Sequence, residues 1–225
     1  MLAAPPGAVS HVRQPIPMSE TTTRALRLAL ASLLTVALLA QLAVGMSRHD
    51  LTVAQFLSLF TVLSNLAAVV LLVRLAWQPA KEWGAGFNMF RGAVTVNMAI
   101  TGLSYPLAFA PDAMAAGRSE PWVDWCLLLV GPLAVALDWV LHPPSSPLPA
   151  RAVAIWAVIP AVYLVYSLTR GEMVGWYPYQ FLDPARFGYG AIGVWSAVVL
   201  TVALGLGQLA RWWANRAASA ATTAR

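Results

Sequence analysis

The sequence predicts an all-α integral membrane protein, a six-transmembrane-helix bundle with both termini inside and an outer aromatic loop between helices five and six. Three observations predict it. Only 10% of the 225 residues are charged and 59% are hydrophobic, with a mean hydropathy of +0.67, whereas a soluble domain carries about 25% charge. Six apolar runs, at about 28–47, 51–73, 92–111, 125–141, 152–169 and 187–210, are each near the length at which a helix crosses a bilayer. Finally, the basic residues sort by side. With the N-terminus inside, Arg13, Arg24, Arg27, Arg74, Lys81, Arg91, Arg151, Arg211, Arg216 and Arg225 fall on inner segments, 10 of the 14. Arg48, Arg118, Arg170 and Arg186 are left outside, and this asymmetry sets orientation. The expected location is a cell membrane, the bacterial cytoplasmic membrane.

Composition also excludes function classes. A net charge of +5 suggests nucleic acid, but the cations stand between apolar runs and at the termini and form no patch. They read as topology signals, so no nucleic-acid partner is expected. Cys126 is the single cysteine, which excludes an intrachain disulfide and a multi-cysteine metal site. His11, His49 and His142 lack metal-ligand spacing, so neither a metal nor another cofactor is expected.

Residues 1–23, with Pro5, Pro6, Pro15 and Pro17, read as a flexible tail, and Met18 offers an alternative start. Arg24 and Arg27 open the transmembrane domain, 24–213. The run that follows is uncharged until Arg48, too long for the apolar core of a signal peptide. The short Ser47–Asp50 link makes the second span its antiparallel partner. Gln78-Pro79-Ala80-Lys81-Glu82 then stops the chain on a charged loop. Arg91 and Asp112 bound the third span. The fourth is interrupted by Pro132 and carries Asp138 near its end, where a hydrated carboxylate reads as a structural anchor. Pro143-Pro144 ends it, and the fifth span contains Pro160. In the sixth, Gly193, Ala197, Thr201 and Gly205 recur every four residues, a small face suited to close helix approach. Trp212 and Trp213 anchor its end, and 214–225 reads as a frayed tail.

Two polar stripes interrupt the apolar runs. Residues 51–73 carry no charge, yet Ser58, Thr61 and Asn65 fall on one face of a helix there, with Ser64 beside them. Asn97 and Thr101, with Tyr105 one step on, make a second stripe in the third span. Such stripes face a bundle interior, where interhelical hydrogen bonding is their simplest role. Depth adds a sharper reading. Ser58 and Thr61 fall in the outer half of span two, and the loop 171–189 is also outside. Thr61, Asn97, Thr101 and that loop are then expected to share one cavity opening toward the outer leaflet. Trp176, Tyr177 and Tyr179 serve as a lid, fixed by hydrogen bonds to Asp183 from the backbone, Arg170 or Arg186; a simple interfacial girdle is the alternative.

Four segments carry a family resemblance. They are Phe60-Thr61-Val62-Leu63-Ser64-Asn65-Leu66; Arg91-Gly92-Ala93-Val94-Thr95 with Thr101-Gly102-Leu103-Ser104-Tyr105; Pro132 followed by Leu137-Asp138-Trp139; and Arg170-Gly171 with Gly175-Trp176-Tyr177-Pro178-Tyr179 and Phe181-Leu182-Asp183. In this order, over about residues 25–210, the chain resembles the bacterial branch of the androgen-induced membrane-protein family. The resemblance implies an intramembrane threonine hydrolase of fatty acid esters of hydroxy fatty acids, with Thr61 at the nucleophile's position. It also implies a base histidine in the fourth span, four or five residues before the proline. Those positions are Leu128 and Leu127. His142 is about 21 Å farther along the helix axis, and His49 is a loop residue twelve positions before Thr61. A hydroxyl is a poor nucleophile until a neighbouring base takes its proton.

The expected function is therefore a multi-pass membrane protein resembling lipid-ester hydrolases, with an outer lipid cavity but weak or no catalysis. Its expected partner is a membrane lipid or fatty-acid ester. Two alternatives stay open: an active threonine hydrolase using Thr61 with another base, and a small transporter. The transporter lacks both an evident inverted repeat and a pair of charged midplane residues. In the weakly active case the Thr61 hydroxyl is expected to bond Asn65, Asn97 or a backbone carbonyl.

Overall fold

The computed structural model describes residues 19–78, 83–103, 120–144 and 146–223. No β-strand occurs among them. Helix α1, Glu20–Arg48, starts where the Ser19 hydroxyl accepts from the Thr22 backbone N–H at 3.1 Å. Residues 20–23, expected in the tail, are therefore helical.

The run 51–73 is not one helix. Thr52 and Gln55 form a capping box that starts a short helix, α2, Val53–Phe56. Leu57 to Leu59 leave the helical path, and α3 begins afresh as Phe60–Trp77. The Ser58 hydroxyl bonds back to the Ala54 carbonyl at 2.6 Å, competing with helical continuation. Ser58 thus stands in the break, and Thr61 in the first turn of α3.

Helix α4 is Ala85–Leu103. Helix α5, Pro121–Trp125, runs through a π turn, Cys126–Val130, into α6, Gly131–Leu141. Helix α7, Arg151–Val174, contains Pro160 without ending and closes on Gly175, whose φ of 66° is the left-handed C-terminal conformation glycine adopts easily. A 3-10 turn, Gln180–Leu182, leads to α8, Pro184–Thr223, which is broken at Gly188.

Five helices are long and apolar enough to cross a membrane: Glu20–Arg48, Phe60–Trp77, Pro121–Leu141, Arg151–Val174 and Pro184–Ala220. Their outward faces carry large apolar side chains such as Leu39, Val165 and Val194, more than 60% exposed. That surface suits lipid rather than water, as in a multi-pass membrane protein. Helix α4 holds Asn88, Arg91 and Asn97, and 104–111 of its expected span lies outside the described residues.

Helix α1 packs on α3 and on the α5–α6 segment around Leu34, Leu59, Val62, Val123 and Leu127. A second core joins α4, α6, α7 and α8 around Trp139 and Trp156. There Gly92 lies so close to the Trp156 ring that a Cβ would come within 2.0 Å of it. Two expectations for α8 are corrected. Gly193 and Gly205 face outward, with nothing within 4 Å of where a Cβ would stand. The buried small face is instead Ala203, Gly207, Ala210 and Ala214, where Gly207 meets Val153 of α7. Nor does the helix fray at 214. Alanine-rich sequence favours helix, and Asn215 receives the Leu148 N–H at 2.7 Å and returns a bond to its carbonyl at 3.1 Å.

Candidate functional site

The first turn of a helix exposes backbone N–H groups that need partners. At the start of α3, Leu59 supplies no side-chain cap. Two tyrosines from elsewhere do the work. The Phe60 N–H donates to the Tyr163 hydroxyl of α7 at 3.2 Å, and the Thr61 N–H donates to the Tyr179 hydroxyl at 3.3 Å. Tyr163 passes its own proton to the Ser58 carbonyl at 2.8 Å. The rings continue the arrangement, with Tyr163 edge-on to Tyr179 at 6.4 Å and Tyr179 stacked on Phe181 at 5.5 Å.

The Thr61 side chain lacks the partner expected for it. Its buried hydroxyl makes no hydrogen bond of ordinary geometry among the described residues. It lies close enough to the Tyr179 phenol to favour that group's ionised form, yet burial still holds the phenol above its usual value. A neutral phenol is no general base for an alcohol. His49 is exposed as the C-cap of α1, and none of the polar contacts at Thr61 involves it.

Asn65, one turn on, is also occupied. Its Nδ2 donates to the Thr61 carbonyl at 2.8 Å and to the Leu127 carbonyl at 3.1 Å. The second bond has a covalent cause. In the π turn the Gly131 N–H donates to the Cys126 carbonyl, and Pro132 has no N–H to give. The Leu127 carbonyl thus loses both its α and its π partner. Asn65 fills the gap, reaching across Gly131, where a Cβ would come within 3.1 Å of its Oδ1. Leu127 and Leu128, the positions of the implied histidine, are buried.

The expected single cavity is divided. An apolar groove of about 450 Å³ lies between α3, α4 and α7. Asn97, Ser64, Tyr163 and Tyr166 are its polar members, and Leu63, Phe90 and Val162 are typical of its walls. Thr61, Asn65 and Thr101 are buried but do not line it. The break at Leu57–Leu59 sets Ser58 off the helical path that Thr61 and Asn65 follow in α3. Tyr105 lies outside the described residues.

In the loop after α7, Trp176 packs partly buried on the main core and lies 5.1 Å from the Arg170 guanidinium. The Tyr177 hydroxyl donates to Glu172 at 3.2 Å. Asp183 accepts from the Ala185 N–H at 2.9 Å and pairs with Arg186 at 3.5 Å, capping α8. Only Tyr179 of these residues hydrogen-bonds at Thr61.

A charged cluster at the other end of the bundle was only half visible in the sequence. Asp138 receives Arg27 Nε at 2.8 Å and lies 3.4 Å from Arg91 Nη2. Arg27 also donates to the Leu75 carbonyl at 3.0 Å, and Arg91 to the His142 carbonyl at 2.8 Å. The Trp83 ring covers Arg91 at 4.3 Å. Helices α1, α3, α4 and α6 meet in this network. By sequence position Asp138 alone stands out as an intramembrane charge, while Arg27 and Arg91 at span ends carry a topology signal.

No family model matches the chain, and no curated protein or solved structure does.

Proposed function

We propose that this chain is a six-span, N-in/C-in membrane bundle that binds a membrane lipid in the groove between α3, α4 and α7 and does not hydrolyse esters. On this reading it is a disarmed relative of the intramembrane threonine hydrolases that its sequence resembles. The observation that carries it is the groove itself. It has apolar walls, a volume of about 450 Å³ and no charged lining residue, and lies within the rough 300–1,000 Å³ range of small-ligand sites. The orientation rests on the excess of basic residues on inner segments.

Absence of hydrolysis follows from Thr61. Its polar neighbour is a neutral phenol, and leucines stand where the resemblance implies the base. Loss of general-base help removes a factor of about 100 to 10,000 in rate. The test is native mass spectrometry of protein extracted in mild detergent, with Ala93→Trp as the groove-filling variant. A lipid adduct on the native chain that Ala93→Trp loses supports the reading. A native chain without lipid, or with lipid that the variant retains, overturns it.

A further inference from the structure

We infer that Arg74 at the end of α3, with Arg24 of α1 stacked on neighbouring Trp77, binds the phosphate of an anionic phospholipid. The site stands apart from the groove, since none of these residues lines it. It begins with a charge imbalance. At this end of the bundle α1, α3, α4 and α6 carry Arg24, Arg27, Arg74 and Arg91, against the carboxylates of Glu20 and Asp138. Asp138 is already shared by Arg27 and Arg91. Glu20, one turn before Arg24, forms no ion pair with it. The segment 79–82 adds one lysine and one glutamate and leaves the balance unchanged.

Arg24 and Arg74 are both exposed, and neither has a hydrogen-bonding or ionic partner among the described residues. Aromatic rings hold them instead. The Arg24 guanidinium lies 4.2 Å from the Trp77 ring centroid, and that of Arg74 lies 5.9 Å from the Phe87 centroid of α4. A guanidinium stacked on a ring keeps its N–H edge open, the fork that grips a phosphate. Trp77 follows Arg74 by three residues, so one face of α3 brings the two arginines to neighbouring positions. Trp77 is 65% exposed at the end of a helix long enough to cross a membrane, the depth where tryptophan rings meet lipid head groups. The α3 C-terminus contributes about half a negative charge, which two full positive charges outweigh. A zwitterionic head group brings a cation that the arginines repel; an anionic one does not.

The probes are phosphatidylglycerol and phosphatidylcholine with identical chains, titrated onto the delipidated full chain in detergent and counted by native mass spectrometry. An arginine near an anionic surface is worth about fivefold, so phosphatidylglycerol is expected to bind at about twentyfold lower concentration. Arg24→Gln with Arg74→Gln is expected to remove the preference. Arg151→Gln with Arg216→Gln takes the same charge from the same end and is expected to keep it. A native chain that takes both lipids equally, or neither, overturns the inference and needs no variant to fold. A preference that survives the first pair of substitutions also overturns it, as does one that both pairs lose alike, the mark of diffuse attraction. Displacement by excess inorganic phosphate would make this a free-anion site and overturn the lipid assignment. Salt screens this exposed contact but not apolar burial, so raised salt separates its adducts from a lipid in the groove, and either site can fail alone.

Discussion

The two ends of the bundle bury polar groups in opposite ways. At one, Arg27, Arg91 and Asp138 carry full charges, and their ties join several helices: to a carboxylate, to the Leu75 carbonyl, to the His142 carbonyl. At the other, around Ser58, Thr61, Asn65 and Asn97, all groups are neutral; the Thr61 hydroxyl has only the Tyr179 phenol beside it, and the buried Oδ1 of Asn65 and Asn97 receive no hydrogen bond among the described residues. A buried charge left unpaired costs about 3–5 kcal/mol, whereas a bare neutral hydroxyl or amide oxygen costs about 1–3 kcal/mol. The ionic end is held by charge pairing, and the neutral end keeps buried polar atoms that the fold only partly satisfies.

The largest effect is expected at the ionic end. Asp138→Leu leaves two arginines facing each other in a nearly dry site, at a cost of about 3–5 kcal/mol. We expect little folded protein by size-exclusion chromatography. If Asp138→Leu proved as stable as the native chain, the contrast between the two ends would be gone. Gly92→Val comes next, because its side chain must displace the Trp156 ring that holds α4 against α7. Overpacking of this kind costs about 1–3 kcal/mol or more, read as a lowered Tm.

At the neutral end the effects shrink. Asn65→Leu strips the donor from the Leu127 carbonyl that Pro132 has already orphaned, and is expected to cost about 1–3 kcal/mol. Tyr179→Phe removes a single cap from the Thr61 N–H and is expected to cost about 1 kcal/mol. The same phenol gives a pH signature. Burial raises its pKa in the fold, so the folded state keeps a proton that the unfolded chain loses near pH 10. Its contribution is complete below about pH 10 and is lost as the pH rises through the folded value. The native chain should lose stability in alkali more steeply than Tyr179→Phe; equal slopes would remove Tyr179 from the cap.

How much of this was legible in the sequence depends on the kind of signal. Apolar run length marked the helical segments, because the bilayer imposes it residue by residue. Composition did not reveal the break at Leu57–Leu59. Its cause is partly local, the Thr52–Gln55 capping box, but it is held open by Tyr163 and Tyr179, more than 100 residues away. Asn65 and Asn97 stood out as polar residues in apolar runs. That Asn97 lines the groove while Asn65 spans to the Leu127 carbonyl depends on how the helices pack, which the spacing does not give. The partner of Asn65 was not readable: Pro132 withholds one N–H, and only the π turn, which takes the Gly131 N–H to Cys126, leaves the Leu127 carbonyl bare. Arg27 and Arg91 were hidden by a sound rule: arginines at span ends usually mark topology. Here they also bind the one carboxylate between them. The small face of α8 was misassigned because two such faces lie on one helix, and spacing does not say which meets a neighbour.

Thr61 is a buried helix-start hydroxyl with no basic side chain among its polar contacts, and ester hydrolysis shows whether it nonetheless acts as a nucleophile. Purified native protein and Thr61→Ala, both in nanodiscs, would be compared on a long-chain fatty acid ester of a hydroxy fatty acid. The two rates are expected to be indistinguishable, at the uncatalysed background. A native rate that falls by a factor of about 100 or more in Thr61→Ala, the scale of general-base-assisted catalysis, would contradict it.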